Sequence, residues 1–212
     1  MFRAVPLRWM ALCLCPMLVE AVLQVGVPVA GVVVSKLLVP MVSVWWLVTT
    51  DQRVRSGRFA MGLALRRTLA LRNTLILVAL MSACVFVLQV LLAWGLAGGP
   101  AARLLLTADP GVGQAFSRAQ VACVLGSGTI PAMLLFFTVP RMVLDGMPAG
   151  MALGENLRLL RTGWRPLTVS LLVSCALVVG FVYQPWLLLL VLPLGYVGYW
   201  AYRDTFDPPQ HA

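Results

Sequence analysis

Apolar residues occur in long runs along most of the chain, and short stretches rich in arginine separate these runs. A helix of about 20 mostly apolar residues crosses the hydrocarbon core of a bilayer. The first run, from Trp9 to Thr50, has room for two such helices, and the Gly and Pro residues of "VGVPVAG" (25–31) mark a break inside it. The pattern predicts an all-α membrane protein, a single polytopic domain over residues 1–212. Its six transmembrane helices are expected at about 9–27, 29–50, 74–96, 119–139, 166–182 and 186–202.

Two of the arginine-rich stretches have the pattern of short amphipathic helices, at about residues 57–72 and 147–163. In the second, Leu153 and Leu157 share one face, and Asp145 is placed to cap the N-terminus. Such a helix lies along the cytoplasmic membrane interface, with its leucines inward and its arginines toward anionic phospholipid headgroups. The candidate headgroup contacts are Arg66, Arg67, Arg158 and Arg161.

The two amphipathic stretches are similar in sequence. "GLALRRTLAL" (62–71) aligns without a gap with "GMALGENLRL" (150–159), 88 residues further on. Each block follows a predicted span that reaches the same side of the membrane, and each precedes a span that leaves that side. The alignment therefore predicts a parallel repeat, an arrangement known from some transporters.

Composition and charge narrow the class of protein. The chain has 212 residues, of which 61% are apolar and 11% charged, and a soluble domain of this size would need a more polar surface. The net charge of +9 would suit nucleic-acid binding. The arginines lie between the predicted spans, however, and form no soluble basic domain. The lipid bilayer is therefore the expected partner, and no nucleic acid is expected.

The distribution of Lys and Arg predicts the orientation. With both termini in the cytoplasm, 13 of the 16 Lys and Arg residues lie on the inner side, as is typical of inner-membrane proteins. A cleaved signal peptide is the alternative for the first apolar run. No small-x-small cleavage site follows it, so the segment is expected to be retained. Indole rings favour the headgroup level, and the tryptophans near predicted span ends are Trp9, Trp45, Trp46, Trp94, Trp164, Trp186 and Trp200.

Two oppositely charged residues lie inside the first two predicted spans. A charged side chain at the centre of a span costs about 2.5–3.5 kcal/mol on insertion scales and is usually paired or functional. Glu20 precedes the turn near Val27 and Pro28 by about as many residues as Lys36 follows it, so both are expected at similar depth. The two residues predict a structural ion pair or a proton or substrate site, and their spacing leaves both alternatives open.

Sequence patterns of common enzymes and metal sites are absent. The chain has no GxSxG, HExxH, phosphate-binding loop or dinucleotide fingerprint. The single histidine, His211, lies in the polar tail, and the five cysteines lie in apolar runs, where cysteine packs as a small apolar residue. We therefore predict no catalytic residue, no metal site and no cofactor.

One long stretch carries a family resemblance. "VPRMVLDGMPAGMALGENLRLLRTGWRPL" (139–167) resembles the signature region of an uncharacterised family of multi-pass proteobacterial inner-membrane proteins. "RWMALCLCP" (8–16), "LLVPMVSVWW" (37–46) and "YRDTF" (202–206) are similar to the terminal patterns of that family. The resemblance implies a location in the bacterial inner membrane and brings with it no established activity and no catalytic residues. Glu20 and Lys36 are not part of the pattern.

These observations predict a membrane component that is not an enzyme. The expected role is that of an interaction or envelope-organising protein that works through its basic cytoplasmic face. A small transporter or channel that uses a polar site near Glu20 and Lys36 is the alternative. A membrane-protein partner or a second copy of the chain remains open as a further partner.

Overall fold

The computed structural model describes residues 6–27, 30–108, 110–114, 116–162 and 164–206, and every regular element within these residues is a helix. The all-α prediction is confirmed. The α-helices are α1 (Pro6–Gly26), α2 (Gly31–Ser56), α3 (Met61–Ala70), α4 (Arg72–Thr107), α5 (Pro110–Gln114), α6 (Arg118–Gly126), α7 (Thr129–Ala132), α8 (Thr138–Leu144), α9 (Ala149–Thr162), α10 (Trp164–Tyr183) and α11 (Val191–Phe206). The 3₁₀ segments Met133–Leu135 and Pro185–Leu190 precede α8 and α11.

Within the described residues, four helical stretches are long and apolar enough to cross a membrane. α9 and α10 supply a fifth if they are counted as one span, although the two are bent by 94° against each other. α11 has 16 residues, fewer than the roughly 20 that cross a bilayer. Helical segments thus occupy the predicted spans, and length and composition qualify four or five of them for crossing. The four are Arg8–Gly26, Gly31–Ser56, Arg72–Thr107 and Arg118–Leu135.

The local sequence explains where the long helices end or bend. α2 ends at Gly57, whose φ of 72° lies in the left-handed region that glycine adopts without strain, and Gly57 N–H donates to Arg53 O. α4 bends at Gly98, where φ is 76°, and Pro100 follows inside the helix. α4 therefore consists of a long segment up to Gly98 and a short segment after it.

The fourth predicted span is not one continuous helix. α6 begins with a capping box, in which the Ser117 hydroxyl accepts from Gln120 N–H and the Gln120 side chain accepts from Ser117 N–H. After α6 the chain continues as α7, a 3₁₀ segment and α8, all of them short. Pro131 has no N–H to donate and Gly128 has a low helix propensity, so the helical hydrogen bonds are interrupted here. The span predicted at about 119–139 is therefore a succession of short helical segments, and Arg118–Leu135 still qualifies as a candidate span.

α2 is the central helix, with contacts to α1, α3, α4 and α8. The larger core packs the C-terminal half of α2 against α3, α4, α8, α9 and α11. A smaller core joins Ala93 and Leu105 of α4 to Val124 of α6. Large apolar side chains on the outside of the long helices are exposed, for example Val25 (85%) and Leu96 (64%). Helices with such an apolar outer surface are typical of proteins that face lipid.

The bounds of the helices follow the 88-residue repeat. α2 ends at Ser56 and α8 at Leu144, and α3 begins at Met61 and α9 at Ala149. In both copies an apolar helical stretch leads into a short amphipathic helix, and a further long helix follows. The copies differ in their first stretch, because α2 is continuous and its counterpart is divided into α6, α7 and α8.

The Trp9 side chain is buried within the protein. It is 1% exposed, and its ring packs edge-on against the rings of Phe59 and Tyr196, with centroids 4.9 Å apart in both pairs. Tyr196 Oη also donates to Trp9 O at 3.1 Å, which joins α11 to α1. Trp9 lies at the start of the candidate span Arg8–Gly26, as predicted, but these rings enclose it. Trp94, Trp186 and Trp200 are exposed, and the Trp164 side chain lies outside the described part of the chain.

Candidate functional site: an ion pair beside a cavity and two basic helices

The structure brings Glu20 and Lys36 together across the α1–α2 hairpin. Lys36 Nζ lies 2.5 Å from Glu20 Oε1, and Gln24 Nε2 donates to the same oxygen at 3.1 Å. The ammonium group also lies 5.9 Å from the centre of the Phe86 ring, within the range of a cation–π contact. The Lys36 and Glu20 side chains are 33% and 31% exposed, so the pair lies outside the packed cores. Residues 28–29 of the predicted turn are outside the described residues.

A cavity of about 370 Å³, here called the Lys36 cavity, opens beside this pair. Its walls are α2, α4 and the interrupted stretch from α6 to Met133–Leu135. The volume falls within the range of about 300–1,000 Å³ that is usual for ligand sites. Most of the wall is apolar, and among the described lining residues Lys36 carries the charge. The polar lining residues are Lys36, Ser82, Gln89 and Thr129.

Side chains from neighbouring helices hold the break between α6 and α7. Gln89 of α4 lies against Gly128, where an added Cβ would come within 2.5 Å of Gln89 Cδ. Gln89 Nε2 donates to Leu125 O at 3.4 Å. Thr129 Oγ1 lies 2.8 Å from Cys175 Sγ of α10. Polar groups freed by a helix break at membrane depth need such partners, because lipid supplies none.

A second cavity, of about 420 Å³, lies one turn further along α2. Ser43 and Trp46 line it from α2, and α1, α10 and α11 complete its walls. The interrupted stretch borders both cavities, since Leu135 lines the Lys36 cavity and Phe136 lines the second one. A displacement of this stretch would therefore change the shape of both.

α3 and α9 bury small side chains at equivalent positions of the repeat. Ala64 and Ala152 are both 0% exposed, and Thr68 and Asn156 are 3% and 0% exposed. These positions are 88 residues apart in each pair. The buried faces of the two helices are therefore equivalent, which adds structural support to the parallel repeat.

The larger apolar and basic side chains of α3 and α9 point away from the core. Leu69 and its repeat equivalent Leu157 are 61% and 43% exposed. The four predicted headgroup contacts, Arg66, Arg67, Arg158 and Arg161, are all exposed as well. Each helix thus presents leucine and arginine on its accessible surface, the combination that interfacial helices use.

Arg141 connects α8 to α9 and α11 in a way that the sequence pattern did not indicate. Its Nη1 lies 2.6 Å from Asp145 Oδ2 and its Nη2 lies 2.8 Å from Glu155 Oε2. The guanidinium group also lies over the Phe206 ring, 4.5 Å from its centre. Burial lowers the pKa of Arg141, but the hydrogen bonds and charges of the two carboxylates raise it by more, so the group stays charged.

Asp145 does not cap α9. Its Oδ1 accepts a hydrogen bond from Tyr202 Oη at 2.7 Å, and its Oδ2 is paired with Arg141. α9 begins later, at Ala149. The capping prediction was wrong because these partners, on α8 and α11, engage the carboxylate.

A second polar cluster joins α2 to α11. Asp51 is 9% exposed, and its Oδ1 accepts from Arg55 Nε and from Tyr199 Oη, both at 3.0 Å. Arg203 Nη1 lies 3.5 Å from Tyr199 Oη. Sequence inspection placed Asp51 in a loop, whereas α2 extends to Ser56 and carries it into the helix.

Asn156 attaches α9 to the interrupted stretch. Its Oδ1 accepts from Phe137 N–H at 3.2 Å, and its Nδ2 donates to Met133 O at 3.0 Å and to Leu134 O at 2.9 Å. The side chain is fully buried. Asn156 thereby supplies an acceptor for Phe137 N–H and a further donor to two carbonyls, which also accept from Phe136 N–H and Thr138 Oγ1.

Comparisons with protein-family models, with curated proteins and with solved structures found no match. Function must therefore be argued from the geometry alone.

Metal-ligating side chains do not converge in the described part of the chain. No group of three or more His, Cys, Asp and Glu residues is placed to hold a metal ion within those residues. No cysteine of the described residues forms a disulfide; Cys13 and Cys15 lie on α1, and the others lie on α4, α6 and α10. His211, in the tail, lies outside the described residues.

Proposed function

We propose that the chain is a six-span protein of the bacterial inner membrane with both termini in the cytoplasm. In this proposal it acts without enzymatic activity, as an interaction or envelope-organising component that docks on anionic phospholipid through α3 and α9. The main observation in support of this proposal is that the two helices bury small residues at equivalent positions and expose leucines together with arginines. The 94° bend between α9 and α10 supports this placement, because a helix along the membrane surface must turn sharply into a span.

Charge reversal on α9 tests the docking. Replacing Arg158 and Arg161 with Glu removes two attractions worth about 1 kcal/mol each near an anionic surface and adds repulsion. In nanodiscs of phosphatidylcholine with phosphatidylglycerol, a cysteine at position 157 of a cysteine-free chain is expected to be protected from a water-soluble maleimide. The two reversals are expected to make it reactive. A cysteine at Thr162, about 140° around the helix from Leu157, is the exposed control.

The outcome depends on lipid charge. Protection of position 157 that is equal with and without phosphatidylglycerol, or unchanged by the two reversals, would rule out docking on anionic headgroups.

The topology is tested separately with reporter fusions. Fusions after Ser56, Met147 and Asp207 are expected to report the cytoplasm, and a fusion after Gly111 the periplasm. A periplasmic signal at Ser56 would overturn the six-span arrangement, because it would place α3 on the outer side.

Transport of a small molecule is the second candidate function, and the Lys36 cavity favours it. The cavity lies between helices, borders an interrupted span and carries a charged side chain, the combination found at substrate sites of transporters with broken helices. A purely scaffolding protein has no need of such a cavity. Uptake of a labelled substrate into vesicles that contain the purified chain would establish transport.

A further inference from the structure

We infer that the Lys36 cavity binds an amphiphilic monoanion, a ligand with one carboxylate or phosphodiester group on an apolar body. Lys36 Nζ is the partner of the anionic group. This inference goes beyond the docking of α3 and α9 on lipid, because it concerns α2, α4 and the interrupted stretch. It holds whether or not the ligand is then moved across the membrane.

The lining of the cavity specifies the two parts of the ligand. Lys36 supplies a full positive charge at one place, and Ser82 and Gln89 add uncharged hydrogen-bonding groups. The remaining wall is formed largely by apolar side chains such as Val85 and Leu135. A small inorganic anion would leave this apolar surface uncovered, and a neutral apolar molecule would leave the ammonium group unused. A ligand with both parts covers the cavity.

Glu20 binds the same Lys36 ammonium group that the ligand's anionic group would bind. Its Oε1 lies 2.5 Å from Nζ and accepts a second hydrogen bond from Gln24. That second bond leaves Glu20 with a partner when the flexible lysine side chain turns toward the cavity. Glu20 is therefore an internal competitor of the ligand for a single ammonium group.

Competition makes the two halves of the ion pair behave in opposite ways. Lys36→Gln removes the partner of the ligand and is expected to weaken binding about tenfold or more, the usual effect of losing a hydrogen bond to a charged group. Glu20→Gln removes the competitor and is expected to strengthen binding severalfold. A pair that only holds α1 against α2 predicts changes of the same sign for both variants.

The experiment uses the full chain in a non-ionic maltoside detergent, with dodecanoate as the probe and isothermal titration as the readout. Methyl dodecanoate, which has the same chain and no charge, is expected to bind at least about tenfold more weakly because it lacks the charged partner. Arg103→Gln and Asp204→Asn remove the same charges at exposed positions elsewhere and are expected to leave binding unchanged. Ala132→Phe fills the cavity without touching the ion pair and is expected to abolish binding.

Two further arms keep the result decisive. Lys36→Gln leaves Glu20 without its lysine and could unfold the chain, so the double variant Glu20→Gln/Lys36→Gln, which carries neither charge, is titrated in parallel and is expected not to bind. Nanodiscs with and without phosphatidylglycerol distinguish the source of the anion. If phosphatidylglycerol occupies the cavity and dodecanoate does not bind, the anionic group that pairs with Lys36 belongs to a lipid headgroup.

The inference is overturned if the double variant binds dodecanoate as well as the unmodified chain does. It is also overturned if Glu20→Gln weakens binding, or if the ester and the acid bind equally. None of these results bears on the docking of α9, which is measured at Leu157.

Discussion

Replacement of Asn156 with leucine is the sharpest test of the architecture around the interrupted stretch. The change keeps the size of the side chain and removes three hydrogen bonds at a fully buried position. A hydrogen bond contributes about 0.5–1.5 kcal/mol net, and a buried donor without a partner costs about 1–3 kcal/mol. The free energy of unfolding is therefore expected to fall by about 3 kcal/mol, mainly because Phe137 N–H loses its acceptor. Met133 O and Leu134 O each lose one donor but keep another, Phe136 N–H and Thr138 Oγ1 respectively.

The repeat provides a matched control at Thr68. Thr68 occupies the equivalent position of α3 and is 3% exposed, but its hydroxyl bonds only to Ala64 O of its own helix, at 2.9 Å. Thr68→Val is expected to cost less than about 1 kcal/mol, because Ala64 O already accepts within the helix. Asn156→Asp keeps the acceptor for Phe137 N–H and places a carboxylate oxygen against two carbonyls. Asn156→Asp is expected to lower the free energy of unfolding at least as much as Asn156→Leu does.

Unfolding in detergent, followed by tryptophan fluorescence against sodium dodecyl sulfate, measures these differences. Hydrogen exchange at Phe137 N–H adds a local readout. Among the variants only Asn156→Leu is expected to make this amide exchange faster, because Asn156→Asp keeps its acceptor. A loss below about 0.5 kcal/mol for Asn156→Leu, or an equal loss for Thr68→Val, would refute the reasoning, since a net hydrogen bond alone is worth that much.

Three further predictions concern other contacts. Glu20→Gln and Lys36→Met should each lower stability in detergent, and the double variant should recover much of the loss, because a single change leaves one charge without its partner. The loss should be smaller than about 3–5 kcal/mol, the cost of breaking a buried pair, since both side chains are about a third exposed. Additive losses in this double-mutant cycle would reject the coupling. Gly31→Ala should destabilise the α1–α2 hairpin strongly, because the new Cβ would lie 2.1 Å from the backbone oxygen of Leu23. Gly26→Ala is the control, because its Cβ meets no atom within 4 Å. Equal melting temperatures for the two variants would contradict this prediction. Tyr202→Phe should cost about 1–3 kcal/mol through the lost bond to a carboxylate, and an unchanged melting temperature would show that water replaces the hydroxyl.

The helices themselves could be predicted from the sequence because their signal is local. Apolar runs of spanning length and the Gly and Pro residues between them lie in continuous sequence, so the starts of α1, α2 and α4 lie within three residues of the predicted starts. α2 and α4 extend six and eleven residues beyond the predicted ends. The amphipathic helices were also expected at 57–72 and 147–163, and the structure has them at Met61–Ala70 and Ala149–Thr162. The proximity of Glu20 and Lys36 could be predicted because, in a tight helical hairpin, residues that are equally far from the turn lie at equal depth.

The interrupted span was harder to predict because its signal has two meanings. Gly126 and Gly128 allow close packing of continuous spans as well as a break, and small residues in membrane helices more often serve packing. What decides between them is Gln89, 36 residues away from Leu125, whose amide occupies the space that a side chain at Gly128 would need. No spacing rule within the segment contains that information.

The polar clusters were missed for a related reason. The sequence pattern explained Asp145 as a helix cap from its own neighbours and gave no partner to Arg141 or Glu155. Their partners lie on α8, α9 and α11, and Tyr202 is 57 residues from Asp145. Such pairs depend on which helices meet, and a single sequence leaves that open.

The contacts of Asn156 link the two parts of the molecule for which functions are proposed. α9 carries the basic surface proposed to dock on lipid, and Met133 and Leu134, the acceptors of the Asn156 amide, belong to the stretch that borders both cavities. The side chain is fully buried, so water cannot replace its bonds when the helix moves. Any tilt of α9 at the membrane surface must therefore either break three hydrogen bonds or carry the cavity wall with it. The second course conserves the hydrogen bonds, so the docking of α9 and the shape of the Lys36 cavity are expected to change together.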